Sequence, residues 1–354
     1  FVPVFLLALY AGHVIDKSDK RTLILRSILL YSVCVIAMIV ITSPGFQNRV
    51  HTTSPALYFY IVIFFTGAIR AFAGPSFSAI ISQLVPREIL HYATNISSTT
   101  WLAASITGHA SAGFFIAGFG VHITFYIILV YVLLSAFLIS RIGKKPIVNT
   151  QKNIKAWDSV KDGLRFVLNN KIMLGAISLD LFAVLFGGAV ALIPEFAEKI
   201  LMVGPIGFGW LNAAMDIGSV LVISTLTLWP MKNKQGYRLM YAVAGFGICI
   251  VIFGFSRLYW LSFMALMIAG MMDGISVIVR GTVLQLTTPD DKRGRVSSVN
   301  SMFINSSNEL GQFESGFMAR ALGTVPSVIF GGAMTLLVVI ITWFKAPELR
   351  KFEY

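Results

Sequence analysis

Apolar runs close to twenty residues long follow one another along this chain, separated by short polar or Pro/Gly-rich breaks. A bilayer core about 30 Å thick takes about 20 residues of helix to cross. Lipid offers no partners for backbone N–H and C=O groups, so only helices and closed barrels can span it. These runs have helical length and no strand-like alternation, so they predict transmembrane helices. A shortened run covers 1–11, followed by runs at 23–41, 57–85, 93–119 and 121–139. A second set covers 172–196, 207–229, 239–255, 258–288, 296–322 and 325–344, eleven in all. The composition agrees, with 56% hydrophobic and only 12% charged residues. A surface that apolar needs lipid around it.

The net charge of +12 and pI near 9.8 do not indicate nucleic-acid binding, which needs a basic patch on a soluble domain. Here the basic residues sit between the apolar runs and alternate by loop. One set of loops holds Lys17, Lys20, Arg21, Arg87, Arg141, Lys144, Lys145, Lys152, Lys155, Lys232, Lys234, Arg238, Lys292, Arg293, Arg295, Arg350 and Lys351; the opposite loops hold only Arg49, Lys199 and Arg257. The positive-inside rule assigns the first set, and with it the C-terminus, to the cytoplasm. Cys34 and Cys249 lie inside apolar runs, which suits packed thiols and indicates neither a disulfide framework nor a thiolate metal site.

The longest polar stretch divides the chain nearly in half. The expected organisation is a bundle at 1–140, a linker at 141–170, a second bundle at 171–346 and a cytoplasmic tail at 347–354. In the linker, Trp157, Val160, Leu164, Val167 and Leu168 recur at helical spacing while Lys155, Lys161 and Arg165 face elsewhere, the pattern of a helix lying on the membrane surface. An internal repeat supports the two halves: Gly67 and Gly270, Pro86 and Pro289, Gly108 and Gly311, Gly113 and Gly316, and Gly120 and Gly323 all differ by 203. One frame holding five Gly or Pro matches points to duplication, with the two halves parallel.

The first basic loop reads Gly12-His-Val-Ile-Asp16-Lys17-Ser-Asp19-Lys20-Arg21. It resembles the signature Gly-x-x-x-Asp-Arg/Lys-x-Gly-Arg/Lys-Arg/Lys of the major facilitator superfamily, with Asp19 where that family usually has Gly. In that family the loop follows the second helix, so the resemblance implies that the first helix and part of the second precede Phe1. Asp16 can serve as a latch to a helix N-terminus or a basic neighbour. The alternative is a solvated loop that only obeys the positive-inside rule. Gly163-Leu-Arg-Phe-Val, Leu179-Asp-Leu-Phe-Ala-Val-Leu-Phe-Gly-Gly, Arg293-Gly-Arg-Val-Ser-Ser-Val-Asn and Ser306-Ser-Asn-Glu309-Leu-Gly narrow the resemblance to the enterobactin exporter-like branch. It implies an all-α integral membrane protein of two pseudo-symmetric six-helix bundles around a central cavity, in a bacterial inner membrane. Gly108-His109 stands where exporters of the superfamily often carry Gly-Pro.

Charges inside apolar runs carry the functional expectation, because a central Arg or Asp costs roughly 2.5 to 3.5 kcal/mol on insertion scales. Arg70 and Asp273 occupy the same position of the repeat with opposite sign. They are expected either to face the cavity, binding substrate or pairing across bundles, or to be neutralised each within its own bundle. In the run at 296–322, Ser301, Asn305, Asn308, Glu309 and Gln312 are spaced to share one helix face. Such a face suits a substrate pathway, or interhelical hydrogen bonds averaging only about 0.6 kcal/mol in membranes. Asp180 and Asp216 complete the acids. One of the acids is the expected proton carrier, with Glu309 and Asp180 ranked before Asp216. His109, inside its run, is expected to be buried and hydrogen-bonded.

No Walker sequence, paired catalytic carboxylates or metal-ligand cluster appears, so neither an enzyme nor a cofactor is expected. The expected function is secondary transport by alternating access, with a small molecule, protons and the lipid bilayer as partners and a single copy as the working unit. The resemblance implies proton-driven efflux of a siderophore or similar amphipathic molecule. A proton-coupled importer and a non-transporting receptor remain open.

Overall fold

In a computed structural model of the chain, the described residues are 3, 7, 10, 11, 14, 15, 18–48, 56–86, 89–143, 156–229, 231, 233–289 and 292–353, with only the backbone described at 91, 156–160, 189, 293, 294 and 298. Gly12, Asp16 and Lys17 lie outside them. The helices longer than a single turn are α1 (Lys20–Thr42), α2 (Ala56–Leu84), α3 (Leu90–Ser140), α4 (Ala156–Asn169), α5 (Lys171–Phe186), α6 (Ile193–Lys199), α7 (Pro205–Leu228), α8 (Gln235–Phe255), α9 (Tyr259–Thr287), α10 (Arg293–Leu322) and α11 (Thr324–Lys345). No strand occurs among the described residues. Two compact units result, one of residues 1–101 and 115–153, the other of 102–114 and 154–354.

Eight helical stretches among the described residues are long and apolar enough to cross a membrane, against eleven expected runs. Three runs account for the difference. The run at 1–11 is not described continuously. The runs at 93–119 and 121–139 merge into α3, which carries non-helical dihedrals at Gly120 and therefore contains two helices. The third, α10, has the length of a crossing, about 45 Å for its 30 residues, but its polar face keeps it out of the apolar set. The run at 172–196 is interrupted: α5 ends at Gly187–Gly188, and a 3-10 turn (Ala189–Leu192) leads into α6.

The internal repeat has a conformational counterpart. Gly120 (φ 76, ψ 167) and Gly323 (φ 95, ψ 159) are the described glycines with positive φ, and they are 203 residues apart. Both lie in a region of backbone space open essentially to glycine alone. The repeat thus preserves the same sharp junction between consecutive helices, α10 to α11 in one case and the two parts of α3 in the other.

In the first unit α1 packs on α2, and Ile24 and Ile28 meet Ile80 and Ala136. Asp19, which replaces the glycine of the family signature, caps α1: its carboxylate accepts from the Thr22 N–H at 3.2 Å. In the second unit α7, α8 and α9 bury Leu211, Ile250, Phe253 and Leu266 with Phe196 of α6. The amphipathic face of α4 is directed at protein: Val167 is buried with Met173, Ile177, Val296 and Val299, and Arg295 pairs with Asp162. Leu168 of the same helix is 54% exposed. A membrane-surface placement therefore concerns only part of the face expected from the sequence. Outward faces carry large apolar side chains such as Trp260, Phe255 and Phe344, the surface a bilayer requires.

Candidate functional site

An ionic cluster joins α5 to α9 inside the second unit. Asp273 and Arg280 are seven residues apart on α9, two turns along one face. Asp180 projects from α5. One Arg280 terminal nitrogen pairs with Asp180 Oδ2, and the other lies 3.8 Å from Asp273 Oδ1. Arg280 Nε donates to the Ser276 carbonyl at 3.2 Å and to Ser276 Oγ at 3.1 Å, which fixes the plane of the guanidinium. Arg280 and Asp180 are 14% and 8% exposed, whereas Asp273 is 42% exposed. One guanidinium therefore holds two carboxylates of unequal exposure. Fully ionised, the trio has one net negative charge.

Sequence reasoning missed Arg280. Comparing equivalent positions of the repeat drew attention to Arg70 and Asp273, but the mate of Arg280 at that offset is Phe77. The signal lay within one run, as an acid and a base spaced by two helical turns. Asp273 thus has a cation on its own helix. Arg70 lies on α2 of the first unit with its side chain exposed and acts electrostatically on Tyr31.

Glycines set the closeness of α7 and α9. A Cβ added to Gly270 would lie 2.0 Å from the Met215 carbonyl oxygen, and one on Gly218 1.9 Å from that of Met267. With Gly274 four residues after Gly270, this is the small-xxx-small packing of membrane helices. Ser219 Oγ adds a bond to the Gly270 carbonyl at 2.9 Å.

Next to this contact, Asp216 Oδ2 accepts from Ser105 Oγ at 2.6 Å and meets His109 Nδ1 at 3.0 Å. Ser105 and His109 come from residues 102–114, the part of α3 that belongs to the second unit. Close backbone approach again depends on glycine, since a Cβ on Gly209 would lie 2.7 Å from the His109 carbonyl oxygen. His109 is hydrogen-bonded as expected, but it is not buried: 47% of its side chain is exposed. The lack of the usual Pro at this position leaves room for a titratable partner to Asp216.

On α10, Ser301, Asn305, Asn308 and Gln312 are exposed and Glu309 is half-buried, so the polar face persists as one surface. Asn308 Nδ2 donates to the Ile304 carbonyl at 2.9 Å. Glu314, off the spacing that defined this face, has a buried Oε1 with no hydrogen-bond partner among the described residues. Of the basic loop, the buried Lys20 donates to the Ile15 and Ser18 carbonyls, and Arg21 donates to the Ser140 carbonyl at 2.5 Å. These two cations bind backbone carbonyls.

A profile described as the Major Facilitator Superfamily matches residues 1–312. The chain is 24% identical over 375 residues to an uncharacterized MFS-type transporter, YfiS, of Bacillus subtilis (strain 168), covering 99% of this chain and 84% of that protein. It is 20% identical over 355 residues to the enterobactin exporter EntS of Shigella flexneri, covering 99% and 82%. Among solved structures, a D-xylose–proton symporter superposes with a TM-score of 0.73 at 14% identity, covering 100% of this chain and 87% of that one. That likeness is one of fold.

Proposed function

The chain belongs to the major facilitator superfamily, and from that premise we propose that it exports a small amphipathic molecule by alternating access, driven by protons. As a multi-span member of this family it is a secondary transporter and not an enzyme. The observation that carries the proton coupling is the sharing of Arg280 by Asp180 and Asp273. A dry ion pair is retained in a membrane at a cost, and intramembrane ions generally mark substrate or proton paths. The trio has one negative charge more than positive, and a proton arriving through exposed Asp273 neutralises it. When Asp273 is neutral, Arg280 is held by Asp180 alone; when it is charged, Arg280 is shared. That difference is the kind of differential interaction a transport cycle needs.

Asn305, Asn308, Glu309 and Gln312 on α10 form the proposed substrate pathway in the second unit, with Arg70 the corresponding charge in the first. Asp216, held by Ser105 and His109, belongs to the same proposed pathway. Gly12, Asp16, Lys17, Lys20 and Arg21 are the proposed cytoplasmic gate. Efflux of a siderophore-like compound is supported by the exporter name of EntS. The Lys/Arg bias supports a bacterial inner-membrane placement with the C-terminus in the cytoplasm, and two bundles bounded near 140 and 171 acting as one copy.

Proteoliposomes with a pH-sensitive dye inside test the reading. Candidate siderophores added to the side from which they are taken up should drive proton movement opposite to their own, and Asp273→Asn should uncouple the two fluxes. Proton movement in the same direction as substrate refutes efflux by antiport; unchanged coupling in Asp273→Asn removes the trio from the mechanism.

A further inference from the structure

A groove of about 640 Å³ runs between α5 and α11 of the second unit, away from the ionic cluster and the polar face of α10. On α5 it follows one face from Lys171 through Ser178 and Phe182 to Phe186, and on α11 it follows Met334, Leu337, Ile341 and Lys345. Lys171 to Phe186 spans fifteen helical rises, about 22 Å. One leaflet's hydrocarbon depth is about 15 Å, so the groove accommodates the full depth of an acyl chain. Its rim is exposed and apolar: Phe182, Leu337 and Ile341 are 45%, 44% and 47% exposed, and neighbouring Phe344 is 76% exposed. That surface faces lipid in a membrane-spanning chain.

The groove's charges are gathered at one end. Lys171 and Lys345 line that end together with Glu348. Lys171 Nζ donates to Glu348 Oε1 at 2.9 Å, with the two side chains 77% and 50% exposed. Lys345 is exposed and has no ion-pair partner among the described residues. A single carboxylate thus opposes two ammonium groups at the mouth of a long apolar channel. The N-terminus of α5 lies beside Lys171, capped by Asn170 Oδ1, which accepts from the Met173 N–H at 3.0 Å.

We propose that this groove binds one anionic phospholipid, an acyl chain lying between α5 and α11 and the phosphate seated between Lys171 and Lys345. The charge pattern selects the occupant. A zwitterionic lipid fills the channel equally well, but its headgroup leaves the excess positive charge at the mouth uncompensated. A polar substrate finds only Ser178 and Thr342 along the body of the groove. The phosphate competes with Glu348 for Lys171, so the bound lipid releases one exposed contact between the C-terminal segment and the start of α5, while Leu349 stays buried against that helix. Since α5 also carries Asp180, occupancy of the groove adjoins the helix that holds the ionic cluster.

The purified protein, reconstituted in nanodiscs of mixed phosphatidylglycerol and phosphatidylcholine and then washed in mild detergent, should retain phosphatidylglycerol above its share of the mixture. Lys171→Gln and Lys345→Gln should each lower that enrichment about fivefold, the effect of removing one lysine near an anionic surface. Glu348→Gln should raise it, a change in the opposite direction that misfolding cannot mimic. Ser178→Trp, which fills the groove, should abolish retention of either lipid while the elution profile is unchanged. The proposal is overturned by no enrichment in the wild type, by enrichment that survives Lys171→Gln/Lys345→Gln, or by release of the lipid with inorganic phosphate alone, which would mark a phosphate site without an acyl requirement. A mass corresponding to two copies in place of protein plus lipid also overturns it.

Discussion

Replacing Arg280 by Gln removes the one cation between Asp180 and Asp273 while keeping a side chain of similar length. Asp180, 8% exposed, then loses the cation it is paired with. Two unit charges about 4 Å apart attract by about 4 kcal/mol at an effective dielectric near 20. Removing one partner of a buried pair typically costs about 3 to 5 kcal/mol. For a body of about 200 residues each kcal/mol corresponds to about 2 to 4 °C, so the midpoint should fall by about 6 to 20 °C. Asp180→Asn/Arg280→Gln should recover most of this, because it removes the buried carboxylate together with its cation and leaves only Asp273, which is 42% exposed. Thermal unfolding in detergent, read by intrinsic fluorescence and by the monodisperse fraction after heating, measures all three variants. Equal midpoints for the wild type and Arg280→Gln, or a double variant no better than the single, refute the reasoning.

Four further outcomes follow from particular contacts. Gly270→Ala should strongly reduce the yield of folded protein, because its Cβ would sit 2.0 Å from the Met215 carbonyl oxygen, whereas Gly316→Ala, with nothing within 4 Å, should express normally; fluorescence-detected size exclusion compares them. Gly120→Ala and Gly323→Ala each place a side chain at positive φ and should cost about 1 to 3 kcal/mol, seen as matching losses of thermal midpoint. Asp19→Ala should cost about 1 kcal/mol of cap stability and Asp19→Gly only a few tenths, read as faster hydrogen exchange at the first amides of α1. Glu309→Gln should abolish proton-driven transport without lowering thermal stability; full transport in a folded variant removes Glu309 from the pathway.

The membrane class and most of the helical runs were legible in the sequence because length and hydropathy act locally: a run of about twenty apolar residues has few alternatives to crossing a bilayer. The repeat was equally legible, since a fixed offset needs no coordinates, and Gly120 and Gly323 carry it through to the same backbone conformation. The polar face of α10 followed from helical spacing alone. The partners of the buried charges did not. Arg280 lies on the same helix as Asp273, and its choice between Asp180 on α5 and any acid on another helix depends on how α5 and α9 meet. The Asp216 pairing with Ser105 and His109 bridges more than a hundred residues and rests on glycines that let two backbones touch. Local pattern therefore determined which segments enter the membrane, while electrostatic partnership, a property of distance in a low-dielectric interior, was decided only when the helices packed.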